Sequence, residues 1–261
     1  MSYSIATWNV NSLRARLDHV CDWLSTHPVE LLAIQETKTP DETFPEEPIK
    51  ALGYHIYYCG QKAYNGVALI SRTPLTSIIH ALPQWNDLEK RFIAACTKDN
   101  ILVVNVYVPN GRSLDSDKFN YKLTWLNQLK HYLEVAQRDF ERIIVLGDFN
   151  IAPADIDVYD TQIWSDCLLV SPPEREALQA IQSLGFQDVF RAHSPNTPGF
   201  SWWDYRAGSF RRNHGLRIDL ILATPALMNI CTDSQVDMTP RAWPKPSDHT
   251  PVWAEFDLDR A

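Results

Sequence analysis

The sequence predicts an α/β protein in which two packed β-sheets are covered by outer helices. Short runs rich in Val, Ile, Leu and Tyr recur along the chain at the length of strands. Several of them, such as 30–34 and 143–146, are apolar at nearly every position, which is typical of strands buried on both faces. Amphipathic segments supply helices that can cover the sheets. We expect one domain over residues 1–261.

Nine segments are predicted to be strands, because β-branched and aromatic residues are enriched in them and turn-forming residues flank them. They are residues 3–9, 30–36, 54–59, 66–71, 92–97, 101–108, 142–147, 217–223 and 251–257.

Three segments are predicted to be helices, because their apolar residues recur at helical spacing. Pro28 ends the first of them. The third has Ser171 as an N-cap and Gly185 just beyond its C-terminus, where glycine is favoured. The segments are residues 13–26, 116–136 and 172–184.

The composition limits the function classes. Five scattered cysteines without a C-x-x-C pair predict neither a disulfide framework nor a zinc site, and they favour the reducing cytoplasm. Neither a signal peptide nor a run of eighteen apolar residues is evident, so we expect no membrane partner. The net charge of −8 counts against a nucleic-acid partner, although a local basic face remains compatible with it.

Polar side chains gather at the ends of six predicted strands. They follow four of the strands and precede the other two, so they share one edge if those two run antiparallel to the rest. Loops converge on such edges, and binding sites are common there. The residues are Asn9, Asn11, Glu36, Tyr107, Asp148, Asn150, Asp219, Asp248 and His249.

This set of side chains suits phosphodiester hydrolysis. Carboxylate and amide oxygens without a thiolate favour Mg²⁺ or Mn²⁺ over Zn²⁺. The metal withdraws charge from phosphate oxygens, a carboxylate activates water, and a histidine stabilises negative charge. Taken alone, Asp148 is equally explained as a turn or helix cap, and a histidine such as His249 is more often an ordinary surface or capped residue. Their shared position at one edge favours the functional interpretation.

Eight segments in order resemble the endonuclease/exonuclease/phosphatase superfamily and, within it, the exonuclease III group of abasic-site endonucleases. They are 8–15 (WNVNSLRA), 35–38 (QETK), 64–68 (YNGVA), 107–111 (YVPNG), 147–153 (GDFNIAP), 200–206 (FSWWDYR), 215–220 (GLRIDL) and 246–252 (PSDHTPV). The resemblance implies a four-layered αββα sandwich of two mixed sheets. It also implies a Mg²⁺-dependent DNA-repair nuclease that incises 5′ to abasic sites and/or removes nucleotides and blocking groups from 3′ ends.

The resemblance also implies residue roles. Asp148 would activate the attacking water, with Asn150 fixing its geometry. His249 would contact the scissile phosphate and be oriented by Asp219, while Tyr107 would hold phosphate oxygens together with Asn110. Glu36 would be the main metal ligand, and whether Asn11 ligates directly or through water stays open. The full implied metal group is Asn9, Asn11, Glu36, Asp148, Asn150, Asp248 and His249.

Segment 201–220 is the main candidate for DNA contact, because it combines arginines with aromatic residues that suit phosphate contacts and packing on a sugar. A solvated loop with buried tryptophans is the alternative. In the resembling family the equivalent of Trp202 lines the pocket for an extruded abasic sugar. The expected partner is double-stranded DNA, bound by a monomer without an obligate protein partner. The candidate contacts are Asn110, Trp202, Arg206, Arg211, Arg212, Asn213 and Arg217, with Lys38, Tyr64 and Arg112 as weaker ones.

Two other functions stay open at this point. One is another phosphoesterase of the superfamily, acting on a phosphoinositide, a lipid or RNA. The other is a degenerate domain that binds DNA without cutting it. The sequence also leaves open the balance between abasic-site incision and 3′-end removal.

Overall fold

A computed structural model of the chain describes residues 2–260 and contains two six-stranded mixed β-sheets. The first sheet has the strand order β11-β12-β1-β2-β4-β3, and the second has the order β5-β6-β7-β8-β10-β9. The strands are β1 (Ser2–Asn9), β2 (Leu31–Gln35), β3 (His55–Cys59), β4 (Val67–Ser71), β5 (Thr76–Ile79), β6 (Phe92–Cys96), β7 (Leu102–Tyr107), β8 (Ile143–Asp148), β9 (Gln187–Asp188), β10 (Asp219–Ala223), β11 (Cys231–Val236) and β12 (Val252–Asp257).

Three long helices occur where the apolar spacing predicts them. Their neighbours are short α-helices and single 3₁₀ turns, and no helix within residues 2–260 is both long and apolar enough to cross a membrane. The α-helices are α1 (Leu13–Thr26), α2 (Glu47–Lys50), α3 (Asp117–Ala136), α4 (Pro172–Gln182), α5 (Val189–His193), α6 (Ser209–Arg212) and α7 (Pro225–Met228). The 3₁₀ turns are Asp41–Thr43, Asp155–Asp157, Arg206–Gly208, Thr239–Ala242 and Leu258–Arg260.

Strand directions bring the polar strand ends together. β1 runs parallel to β2, and β7 runs parallel to β8. β12 is antiparallel to β1, and β10 is antiparallel to β8. The C-terminal ends of β1, β2, β7 and β8 therefore share an edge with the start of β10 and the loop before β12. The predicted antiparallel arrangement is confirmed, and so is the two-sheet sandwich with outer helices.

The core lies between the sheets and under the helices. One apolar cluster joins the inner faces of both sheets, while α1 covers the first sheet and α3 and α4 cover the second. A buried polar pair crosses the interior, where Gln35 donates to Asn105 over 2.8 Å. Gly147 permits a close strand approach, because a Cβ at its φ of 144° would lie 1.9 Å from the carbonyl oxygen of Val106.

Three strands escaped prediction, and all three are at sheet edges or very short. β5 and β11 expose many of their side chains, and β9 has only two residues. An edge strand faces water on one side and carries polar residues that blunt it against further pairing. Its sequence therefore lacks the dense apolar run that marks the interior strands.

Candidate active site at the shared edge of the two sheets

A buried carboxylate–imidazole–carboxylate line occupies the shared edge. Asp219 begins β10, and its Oδ2 lies 2.8 Å from Nδ1 of His249. On the other side of the ring, Nε2 of His249 lies 3.8 Å from Oδ2 of Asp148. Ser201 donates its hydroxyl to Asp219 over 2.6 Å. The four side chains are at most 5% exposed, so their charges interact with little screening by water.

The two carboxylates keep His249 charged. Burial lowers the pKa of this histidine, but Asp219 and Asp148 outweigh burial and raise the pKa to about 10. At neutral pH the ring is therefore an imidazolium. Its Nδ1–H donates to Asp219, and its Nε2–H faces Asp148 and the opening of the site.

Asp148 ends β8 and is held by amide donors. It accepts hydrogen bonds from the Asn9 side chain over 2.9 Å and from the Asn150 backbone over 2.8 Å. Burial raises its pKa to about 7, with the Asp219 carboxylate adding to the rise and the His249 charge opposing it. A carboxylate with this pKa can take up and release a proton near neutrality.

Glu36 follows β2, and its side chain is partly exposed. Its Oε1 accepts from Asn9 over 2.9 Å, and its Oε2 lies 2.8 Å from the ammonium of Lys38. Asn11 donates to Asp248 over 2.9 Å, which places a second carboxylate and a second amide beside this group. Burial raises the pKa of Asp248, but the charge of His249 and the hydrogen bond from Asn11 outweigh it and lower that pKa.

These oxygens fit a hard divalent cation. Ligand atoms of Glu36, Asp148 and His249 lie within 4.8 Å of one another. A protonated imidazole has no free lone pair for a metal, however, and the raised pKa of His249 keeps it protonated. The oxygen donors that match Mg²⁺ or Mn²⁺ are consequently Glu36 and Asp148 of this group, with Asn11 and Asp248 beside them.

Three of these residues have left-handed backbones. φ is 53° at Glu36, 51° at Asn150 and 42° at Asn11. Side-chain acceptors hold two of them. The backbone N–H of Asn150 donates to the Asp148 side chain, and the backbone N–H of Asn11 donates to the Asn9 side chain over 3.0 Å. Such conformations in non-glycine residues persist where the surroundings enforce them, and they concentrate at functional sites.

Tyr107 and Asn110 lie on the neighbouring strand end and loop. Burial and the nearby carboxylates raise the pKa of Tyr107 well above its ordinary value, so the phenol keeps its proton. The guanidinium of Arg91 lies 4.6 Å from the centre of the Tyr107 ring. Asn110 donates to the side chain of Asn150 over 3.0 Å, which joins this loop to the one that carries Asp148.

The predicted DNA contacts divide into a site rim and an outer surface. Trp202 is half-buried at the rim, where its Nε1 donates to Asp248 over 3.0 Å and its ring meets Trp164 edge-on at 6.5 Å. Arg206 is exposed but forms a two-point ion pair with Asp204. The other exposed candidates are Tyr64, Asn110, Arg112, Arg211, Arg212 and Asn213.

The prediction that Arg217 contacts DNA is wrong. Its side chain is 1% exposed and points away from the surface. It donates to Asp157 over 2.6 Å and to Asp188 over 3.1 and 2.7 Å. These two buried carboxylates compensate its charge, because an arginine can be buried only when it is paired. Its neighbours Leu216 and Ile218 belong instead to the apolar cluster beside Trp202.

Comparison with known proteins identifies the family. A sequence model of the endonuclease/exonuclease/phosphatase family matches residues 6–249, a span that contains every residue of the buried site. The chain belongs to this family. Exodeoxyribonuclease III from Haemophilus influenzae is 36% identical, and the alignment covers 96% of this chain and 98% of that protein.

Two solved structures share the fold at about 40% identity. A 3′ phosphatase named NExo from Neisseria, bound to a product DNA hairpin, superposes with a TM-score of 0.96 at 41% identity, covering 98% of this chain and 100% of that one. An AP endonuclease from Archaeoglobus fulgidus superposes with a TM-score of 0.94 at 40% identity, with the same coverage.

Four contacts of this family member were not predicted from its sequence. Ser201 supports Asp219, and Lys38 lies against Glu36. The Tyr205 hydroxyl donates to the carbonyl of Pro246 over 2.9 Å and accepts a hydrogen bond from Arg16 over 3.2 Å. Ser201 and Tyr205 lie inside the segment that carries Trp202, so proximity in sequence was an available signal. Nothing in the sequence placed Arg16 beside Pro246, since 230 positions separate them.

Proposed function

We propose that the chain is a DNA-repair nuclease that hydrolyses phosphodiester bonds, incising double-stranded DNA 5′ to abasic sites and removing nucleotides and blocking groups from 3′ ends. The observation that carries this proposal is the line Asp219–His249–Asp148. It combines a fixed imidazolium with a carboxylate whose pKa lies near neutrality, the pair that phosphodiester hydrolysis needs.

Each residue of this site has a proposed role in phosphodiester hydrolysis. Asp148 accepts the proton of the attacking water, and the amides of Asn9 and Asn150 hold its oxygens in place. His249 donates its Nε2–H to a phosphate oxygen and offsets the charge that develops there. Asp219 keeps the ring charged and oriented. Tyr107, together with Asn110, holds the remaining phosphate oxygens.

Glu36, Asn11 and Asp248 would hold Mg²⁺, with Mn²⁺ as a substitute. When bound, the cation withdraws charge from the phosphate and from the leaving oxygen. Asn9 serves both groups, because its amide bridges Glu36 and Asp148 over 2.9 Å each. The carboxylate that contacts the metal and the carboxylate that contacts water are therefore positioned by one side chain.

DNA is the substrate that the surroundings of the site favour. Trp202 packs on the buried Leu216 and Ile218, and its own partly exposed ring provides an apolar wall of the kind that receives a sugar lacking its base. Arg112 and Arg212 provide exposed charge for the phosphates. The DNA-bound NExo structure and the AP endonuclease relative support this choice. We propose a cytoplasmic monomer that acts without a protein partner.

A cleavage assay on three substrates tests the proposal. Duplexes with one internal abasic analogue or one 3′-phosphate are compared with a phosphoinositide, each in Mg²⁺ and in excess EDTA. We expect metal-dependent incision or 3′-phosphate release on DNA and no lipid hydrolysis. Preference for the phosphoinositide would favour another phosphoesterase of the family. Full activity in EDTA would contradict the metal assignment, and binding without cleavage would indicate a degenerate domain.

A further inference from the structure

A fully buried lysine lies directly beneath the two loops that carry Asn110 and Asn150. Lys122 is in the second turn of α3, and its side chain is 0% exposed. Its ammonium donates to the Asn150 carbonyl over 2.7 Å, to the Asn110 carbonyl over 3.2 Å and to the carboxylate of Glu174. An ammonium has three N–H donors, so all three are satisfied.

Pairing with Glu174 alone does not account for this arrangement. A buried cation needs a counter-charge, and Glu174 provides it. The other two N–H groups each contact a main-chain carbonyl, one in each loop. The side chains of the same two residues are joined above, where Asn110 donates to Asn150 over 3.0 Å. Lys122 thus joins the two loops through their main-chain carbonyls, while Asn110 and Asn150 join them through their side chains.

The hydrogen bond from Lys122 to the Asn150 carbonyl holds a residue with a left-handed backbone conformation. Asn150 has φ 51°, and its amide nitrogen donates to Asp148. Its side chain donates both to the Val108 carbonyl over 3.0 Å and to Asp148 over 3.2 Å. Lys122 holds the opposite, carbonyl end of the same residue. Release of that carbonyl would free the peptide to leave the left-handed conformation and to carry the amide away from Asp148.

Glu174 extends the anchor to a third segment. Its Oε1 accepts from the Leu169 backbone over 3.1 Å, and its Oε2 accepts from the Ser171 backbone over 3.1 Å. The Leu169 carbonyl in turn receives the Ala152 amide over 2.7 Å, two residues beyond Asn150. The pair therefore joins α3 and α4 to the catalytic loop from both sides.

We propose that Lys122 is a positioning residue of the hydrolytic reaction, fixing the carbonyls of Asn110 and Asn150 so that both amide side chains face the scissile phosphate beside Asp148. Glu174 supplies its counter-charge. The inference rests on the proposed nuclease function, since it concerns the same site.

The test removes the donor without leaving an unpaired buried carboxylate. Lys122→Met combined with Glu174→Gln replaces the ion pair by neutral groups of similar volume, and it costs one backbone hydrogen bond at position 174, since an amide keeps a single acceptor oxygen. The matched control is Lys130→Met with Glu134→Gln, which removes a partly exposed ion pair from the same helix. Single-turnover rate, KM, duplex affinity and melting temperature are measured for wild type and both variants.

We expect the Lys122 variant to lose about 10–100-fold in rate through misplaced catalytic groups, with duplex affinity within about threefold. The Lys130 control should match wild type. An unchanged rate in a folded Lys122 variant would overturn the inference, as would a loss that follows the folded fraction alone. If the variant fails to fold, Lys122→Gln with Glu174→Gln keeps an amide donor, and we expect it to recover part of the rate; no recovery in a folded protein would overturn the inference.

A crystal structure of the same variant gives a readout that does not depend on activity. We expect the bond between the Asn110 and Asn150 side chains to be broken, and an unchanged loop would count against the positioning role. An inactive wild type would contradict the proposed function. An active wild type with an active, undisturbed Lys122 variant would contradict only this inference.

Discussion

Replacement of Asp219 by asparagine should move the pH dependence of cleavage toward acid. The carboxylate of Asp219 lies 2.8 Å from Nδ1 of His249 and is the largest of the charges that raise its pKa. An asparagine side chain has nearly the same shape, and its amide oxygen can still accept the Nδ1–H. Asp219→Asn therefore removes charge while it preserves the orientation of the ring.

The magnitude follows from the pKa of His249. Its rise from 6.5 to about 10 corresponds to a preference of about 5 kcal/mol for the imidazolium. If the loss of Asp219 returned the pKa to about 6.5, only about one molecule in thirty would carry the imidazolium at pH ~8. The rate there should fall roughly thirtyfold. At pH ~6 about three-quarters of the molecules would be charged, and the loss should shrink to less than about twofold.

Asp148 should shift in the same direction. The Asp219 carboxylate raises the pKa of Asp148, which burial brings to about 7. Activity requires this group to be deprotonated, so the rate rises as pH increases through its pKa. Removal of Asp219 lowers that pKa and extends activity toward acid. The acidic and the alkaline sides of the pH–rate profile thus both move to lower pH. Because Asp148 and His249 titrate as a coupled pair, the two apparent pKa values belong to the pair rather than to either residue alone.

Single-turnover cleavage of an abasic duplex between about pH 6 and pH 9 measures the shift. Ser201→Ala is the control, because it removes the hydroxyl that donates to Asp219 and leaves the charge in place. Ser201→Ala should lower the rate without shifting either apparent pKa of the pH–rate profile. If Asp219→Asn lost the same factor at every pH, its role would be orientation only, and the electrostatic reasoning would fail.

The remaining predictions concern the base, the metal, the DNA surface and the buried arginine. Asp148→Asn should lose about 10²–10⁴-fold in rate but retain duplex affinity; more than about a tenth of the wild-type rate would refute its role as base. Glu36→Ala should weaken Mn²⁺ binding by calorimetry and abolish metal-dependent cleavage, and unaltered Mn²⁺ affinity would exclude it as a main ligand. Trp202→Ala should reduce discrimination between abasic and intact duplexes with little change in salt dependence, whereas Arg212→Ala should reduce the salt slope by about 0.9; identical behaviour of the two would contradict this division. Arg217→Met should lower the free energy of unfolding in urea by about 3–5 kcal/mol, because it leaves the buried Asp188 without an ion pair and Asp157 with Arg191 alone; a change below about 1 kcal/mol would be inconsistent with the buried ion pairs.

The interior of the fold was predictable because burial is visible in sequence. The strands β2, β4, β6 and β8 are buried along their whole lengths, and such strands appear as continuous apolar runs. The polar residues that end β1, β2, β7 and β8 could be assigned to one edge once the strands before Asp219 and Asp248 were assumed to run antiparallel to the others. The edge strands β5 and β11 have mixed exposure, and their pairing depends on neighbours that no local pattern reveals.

The electrostatic state of the site could not be predicted in the same way. The pKa of His249 depends on Asp148 and Asp219, which are 101 and 30 positions away in sequence. Likewise, Lys122 meets Glu174 across 52 positions, and a lysine on an amphipathic helix is ordinarily exposed. Only the packing of α3 on α4 makes it internal.

The number of arginines in segment 201–220 overstates the positive charge that this segment offers to a polyanion. Two of the four arginines are compensated, Arg217 by buried carboxylates and Arg206 by Asp204. The exposed positive charge of this segment thus rests on Arg211 and Arg212, so electrostatic affinity should be modest.

Charge within the site accounts for the rest of the binding. In the proposed complex the phosphate lies near the carboxylates of Glu36, Asp148, Asp219 and Asp248, and the charges of His249 and Lys38 offset only part of them. With Asp148 deprotonated, two negative charges remain, which is the charge that one divalent cation neutralises. A phosphate can approach these carboxylates at low energetic cost only when that cation is bound. The requirement for metal in binding and the requirement for metal in hydrolysis therefore arise from the same group of side chains.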